Sequence, residues 1–180
     1  MRITKENTVG LIIDMQEKLF PAMFEKEQLL KNTLILLQGL NVLKVPLIVT
    51  QQYTKGLGET IPEISSAIPE FNYLEKRHFS CFDEPKVTEE LKRLDAGNII
   101  VCGIESHVCV LQTAVDLKEA GLNPIVVIDC VSSRTKENLE LAKERFRLEG
   151  ILMVSYESIL FELTRSSADP AFRAISGLVK

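Results

Sequence analysis

Apolar residues are grouped along this 180-residue chain in short continuous runs rather than in alternation. TVGLIID (8–14), PLIVTQ (46–51), NIIVCGI (98–104), NPIVVID (123–129) and ILMVS (151–155) are all rich in Val, Ile or Leu. Such runs fit strands buried on both faces, as in a parallel sheet. NYLEKRHFS (72–80) is a sixth, less apolar strand candidate. Between the runs the apolar period lengthens to that of a helix. Residues 27–44 set Leu29, Leu30, Leu36, Leu37, Leu40 and Leu43 on one broad stripe. Residues 85–95 open on Pro85, favoured at a first helical position, and Gly97 follows them. Residues 106–120 and 136–149 stop before Gly121 and Gly150. Helices over 156–163 and 169–178 complete the set.

Strands joined through helices run parallel with right-handed crossovers. The order therefore predicts a three-layer, doubly wound α/β fold around a parallel sheet of about six strands. The length fits one domain over 1–180. The irregular piece is 52–71, QYTKGLGETIPEISSAIPEF, which follows a strand end, where long loops shape or cover sites. In open α/β sheets, ligands bind beyond the carboxyl ends of the strands. Those ends hold Asp14, Gln51-Gln52-Tyr53, Gly103–Cys109 and Asp129-Cys130, with Lys76 in the less apolar strand.

Composition narrows the partners. The chain is 46% hydrophobic and 26% charged, ordinary for a globular protein. Its net charge of −4 weighs against nucleic acid or an anionic membrane. Charged residues, Asn or Pro interrupt every apolar run before bilayer length, and MRITKENT lacks the apolar core of a secretory signal. With four cysteines, we expect a cytoplasmic, reducing home and free thiols. Two histidines and no C-x-x-C give no zinc pattern.

The chemistry centres on VCGIESHVC (101–109). A helix starting near Ser106 puts Cys109 in its first turn. Free N–H groups and the helix dipole there favour an anion, which lowers a thiol from its ordinary ~8.5. The same N–H groups are suited to an oxyanion. Free cysteine is also at home as a small buried hydrophobe, and position alone leaves both readings open. His107, two residues away, projects to the far side of a helix. His78 shares a strand face with Lys76, and nothing singles it out. Asp14 ends a buried strand, a costly place for a carboxylate unless it is paired or functional. It also fits a cap, or a metal or phosphoryl-acceptor Asp, although LIIDMQ lacks the second carboxylate those roles need. Lys76 is either its partner or a surface cation beside Glu75.

Three motifs in order resemble one family: LIIDMQEKLF with Asp14, YLEKRHFSCF with Lys76, and VCGIESHVCVLQTAVDLKEAGL with Cys109. The later IDCVSSRTKENLELA matches the same pattern. The chain resembles the isochorismatase-like cysteine hydrolases, which include nicotinamidases and N-carbamoylsarcosine amidase. The resemblance implies a triad in which Asp14 takes the thiol proton, Lys76 orients Asp14 and favours the thiolate, and Cys109 attacks a carbonyl to give a thioester. It also implies a cis peptide at Ile104–Glu105 that aims the backbone N–H groups of Glu105 and Cys109 into an oxyanion hole. Ser106, where the family often has Thr, keeps a hydroxyl able to cap the helix. Nicotinamidases carry a metal-binding Asp-x-His after the second strand. Gln51-Gln52-Tyr53 offers no such ligand, so neither metal nor cofactor is expected.

The intact triad points to C–N bond hydrolysis in a small carboxamide. The alternatives are vinyl-ether hydrolysis that does not rely on the cysteine, or a catalytically silent redox or scaffold protein in which Cys81 and Cys130 matter more. Phe20, Gln52 and Tyr53 are candidate pocket walls that packing explains equally well. Homo-oligomerisation is implied by the resemblance.

Overall fold

The computed structural model describes residues 2–180. Six strands form one all-parallel sheet: β1 (Thr8–Ile13), β2 (Leu47–Gln52), β3 (Leu74–Lys76), β4 (Asn98–Ile104), β5 (Asn123–Ser132) and β6 (Leu152–Val154). Their spatial order is β3-β2-β1-β4-β5-β6. The winding reverses between β1 and β4, which makes that crevice the topological switch point.

Helices cover both faces: α1 (Lys26–Val42), α2 (Thr54–Leu57), α3 (Pro62–Ser65), α4 (Pro85–Arg93), α5 (Leu111–Glu119), α6 (Lys136–Leu148), α7 (Tyr156–Thr164) and α8 (Phe172–Leu178). Alternation along the strands feeds two cores. Val9, Leu11, Ile13, Ile99 and Val101 join Leu91 of α4, Leu117 of α5 and Phe146 of α6. Ile12, Ile100, Cys102 and Ile104 join Leu36 and Leu40 of α1, Leu163 of α7 and Ile175 of α8. Apolar partners on both sides explain why the strand sequences read as continuous runs. Truncating a side chain as enclosed as Phe146 to Ala typically costs about 3–5 kcal/mol.

The structure departs from the sequence expectations in four places, each with a local cause. Of 72–80, only Leu74–Lys76 pairs as a strand. Beyond it the N–H groups of Arg77 and His78 turn to the Glu84 carboxylate (2.6 and 3.1 Å) and are lost to any ladder. β5 runs on to Ser132 after a register shift, pairing Val126 with Val101 but Val131 with Gly103. The 52–71 stretch holds two single helical turns, α2 and α3. The expected helix over 106–120 opens instead as a π turn, Ser106–Val110, before α5 begins.

Gly103 explains how β1 and β4 close on each other at the crevice. Its φ is +115°, and a Cβ there would stand 2.1 Å from the Ile13 carbonyl oxygen. Only glycine tolerates both conditions.

Candidate active site

Asp14 is the first residue past β1, and its φ of 50° turns the chain out of the sheet. The left-handed region admits Asp more readily than bulkier residues. Its backbone N–H donates to the Thr50 carbonyl (3.3 Å), and its Oδ1 accepts from Thr50 Oγ1 (2.8 Å). Lys76 Nζ stands 2.7 Å from Oδ2, with neither side chain exposed. The three ammonium protons go elsewhere: to Gln52 Oε1 (2.5 Å) and to the carbonyls of His78 and Phe79 (both 3.1 Å). Oδ2 therefore meets Lys76 as a charge and accepts no well-aligned hydrogen bond.

Burial opposes charge on both groups. It raises the Asp14 carboxyl above its ordinary value, and the Lys76 charge and the Thr50 hydrogen bond only partly offset this. Burial also disfavours the Lys76 ammonium, but Asp14 and the thiols of Cys81 and Cys109 outweigh it, so its pKa is raised. Breaking such a pair strands a buried charge, typically at about 3–5 kcal/mol.

Cys109 lies in the π turn, buried, with its thiol against the Asp14 carboxyl. The expected lowering of this thiol is overturned: burial, then the negative charge of Asp14, pushes it up to about 12. Cys109 does not sit in the first turn of a regular α-helix, and the charge that acts on it most strongly is that of Asp14. At neutral pH it rests as a thiol beside the Asp14 carboxyl.

The turn itself is distinctive. The Ile104–Glu105 peptide is cis. The Glu105 carbonyl accepts from Val108 N (3.1 Å) and Val110 N (3.2 Å), passing over the Cys109 N–H between them. Two side chains tie the turn to the β5–α6 connection: Glu105 Oε2 accepts from Arg134 Nε (3.0 Å), and His107 Nδ1 meets Ser133 Oγ (2.9 Å). The expected Ser106 cap does not form. Its hydroxyl is buried with no hydrogen-bond partner, and Glu105, not Ser106, occupies the cap position of the turn. His78 pairs with Glu84 at the surface.

The candidate pocket walls fall in different places. Gln52 uses its amide to hold Lys76 through Oε1 and the Arg77 carbonyl through Nε2 (2.8 Å). Tyr53 is partly exposed, with the Arg77 guanidinium 4.2 Å above its ring. Phe20 packs against the α1-side core.

Sequence reasoning passed over Gln16 and Thr50 at the site, and gave Cys81 a place only in the redox or scaffold alternative. Gln16 Nε2 donates to the carbonyls of Gln52 (3.1 Å) and Gly58 (2.7 Å), and its Oε1 accepts from Gln52 N (2.7 Å), tying the segment after β2 to the end of β1. Thr50 holds Asp14, and Cys81 lies 3.7 Å from the Thr50 hydroxyl. Their only signal was a polar or sulfur side chain beside a buried strand end.

The isochorismatase domain model matches residues 8–158. Isochorismatase domain-containing protein 2 of Danio rerio is 36% identical over 179 residues, covering 99% of this chain and 89% of that protein. The secreted isochorismatase effector Isc1 of Phytophthora sojae is 35% identical, over 99% of this chain and 87% of that protein. The solved structure of MAR1 ribonuclease from Caenorhabditis elegans superposes with a TM-score of 0.94 at 33% identity, covering 99% of this chain and 92% of that one. A family model spanning most of the chain, near full-length relatives and a shared parallel sheet lead to one conclusion: the chain belongs to the isochorismatase family and has its hydrolase fold.

Proposed function

We propose that this protein is a cysteine hydrolase that cleaves the C–N bond of a small amide-type substrate through an Asp14–Lys76–Cys109 triad. One observation supports it above the rest: a thiol, a carboxyl and an ammonium meet, buried, at the switch point of the sheet. The Cys109 proton passes to Asp14 as sulfur bonds to the carbonyl carbon. The tetrahedral oxyanion sits at the backbone N–H groups of Glu105 and Cys109, each such donor being worth roughly 10²–10³ in rate. The C–N bond then breaks, and the amine leaves with the proton from Asp14. Water attacks the thioester, gives a proton to Asp14 and releases the acid, and that proton returns to the thiol. Lys76 keeps its charge throughout and favours the anionic forms of its neighbours.

The test is ammonia release across a panel of small amides, ureides and carbamoyl compounds, with Cys109→Ala as control. Turnover that survives Cys109→Ala with release of pyruvate would instead favour vinyl-ether hydrolysis. A structural relative bears the name ribonuclease, so RNA belongs in the panel. A polymer backbone fits poorly with a triad this enclosed on a chain of net charge −4. Cysteine-dependent RNA cleavage would overturn the small-molecule reading. A homo-oligomer in the cytoplasm is part of the same proposal, checked by light scattering and fractionation.

A further inference from the structure

Thr50 holds Asp14 twice, by its carbonyl and by its hydroxyl. The register explains why one residue does both: Thr50 pairs with Ile13 across β1 and β2, so the next residue of β1 falls beside it. A threonine hydroxyl has a single proton, and here it goes to Asp14 Oδ1. The contact between Thr50 Oγ1 and Cys81 Sγ (3.7 Å) then has only one possible direction, with the thiol as donor. Cys81 is fixed in turn by its backbone N–H, which donates to Thr113 Oγ1 (2.9 Å) on α5, the helix that continues from the nucleophile's turn.

We propose that Thr50 and Cys81 are positioning residues for the base: Cys81 S–H donates to Thr50 Oγ1, whose proton occupies Asp14 Oδ1, so that Oδ2 is the oxygen left to receive the proton of Cys109. This rests on the reading of Asp14 as the base. The chain of donors explains why a second buried thiol stands beside the triad without being a second nucleophile. Cys81 is fully buried, and burial followed by the Asp14 charge pushes it up to about 12, so it keeps the proton it donates. The titratable groups facing Asp14 are Lys76 from β3, Cys81 from the loop after it and Cys109 from the π turn. Thr50 adds a neutral donor from β2.

The experiment follows the rate of Cys109 alkylation by iodoacetamide across pH, read by mass spectrometry of its peptide in the full-length protein. Thr50→Val is expected to slow it roughly 10- to 100-fold, the range for losing a hydrogen bond to a charged group. It also moves the acid limb to higher pH, because Asp14 loses a donor that favours its ionised form. Thr50→Ser restores both. Cys81→Ala gives a smaller shift in the same direction, since S–H is a weak donor, and Cys81→Ser behaves like the parent. A cooperatively melting Thr50→Val protein with the parent's limb overturns the proposal, as does a Thr50→Ser that fails to restore it. A Cys81→Ala protein identical to the parent removes Cys81 from the chain. If Thr50→Val does not fold, the two Cys81 variants and Thr50→Ser carry the test. Asp14→Asn separates the two levels: if it leaves the pH dependence unchanged, Asp14 is not the base. If it removes the limb while Thr50→Val does not move it, only the positioning chain fails.

Discussion

Two cysteines in this protein are buried beside an aspartate, and the two pairs differ in their surroundings. Cys109 lies against Asp14 where β1 and β4 meet. Cys130 follows Asp129 in β5, with its Sγ 3.9 Å from Asp129 Oδ1. In both, burial comes first and a neighbouring carboxylate second or third in raising the thiol. The difference lies in what else touches the carboxylate. Asp14 faces an ammonium at 2.7 Å and keeps one oxygen free of hydrogen bonds. Asp129 Oδ1 accepts the Tyr156 N–H (2.9 Å) at the start of α7, a helix-terminus role. A buried Cys–Asp pair is thus not itself an active site. It becomes a candidate when a buried cation stabilises the anions formed in reaction and a backbone turn leaves an N–H beside the sulfur.

Four measurements would break or sharpen this contrast. The largest effect is expected from the proposed nucleophile: Cys109→Ala reduces ammonia release to background, while Cys130→Ala leaves it near the parent value once the melting temperature is matched. Next, Asp14→Asn lowers kcat/KM by about 10²- to 10⁴-fold, the usual contribution of a positioned general base. It also flattens the acid limb of the pH profile. The sign follows from burial. In the proposed mechanism Asp14 acts as base only when ionised, burial raises its pKa, and the rate is therefore expected to climb with pH through a midpoint above that of an ordinary carboxyl. A limb at or below the ordinary value would show that another group titrates.

Third, Lys76→Met removes the counter-charge and costs about 3–5 kcal/mol of stability in denaturant titration. The double variant with Asp14→Asn recovers part of that loss, because the stranded carboxylate goes with it. Purely additive costs would show that the two groups do not interact. Smallest is Asp129→Asn, which weakens the charge at the start of α7. A change of about 0.5–1 kcal/mol lowers the melting temperature by a few degrees and leaves kcat unchanged. A large drop in kcat there would erase the distinction between the two pairs.

Much of the fold was legible in the sequence because strands covered on both faces leave long apolar runs, as TVGLII and NIIVCGI do. The short edge strands were harder to delimit. β3 pairs over three residues, and its limits are set by Glu84, a distant side chain that captures two backbone donors. At the site, Asp14, Lys76 and Cys109 stood out through motifs and strand ends, and β1 does neighbour β4. The behaviour of the thiol could not be read locally. A rule about helix starts predicts a lowered value, whereas burial and a carboxylate about 95 positions earlier in the sequence push this thiol up. The same holds for Gln52, which turns out to hold Lys76, and for Thr50, whose importance depends on the β1–β2 register.

Gly103 does no chemistry, yet its place in the fold bears on how variants of this protein will be tolerated. A library that randomised every position near the triad would tolerate many letters at Phe20 or Tyr53, which meet the solvent or a yielding core. At Gly103 even a methyl group meets the main chain of β1, which cannot move aside without carrying Asp14 with it. In a selection for hydrolysis, we expect Gly103 to be as invariant as Cys109. In a selection for folding alone, Cys109 would drift while Gly103 would not. Position-by-position comparison of the two selections would separate residues retained for the reaction from those retained for the spacing that permits it.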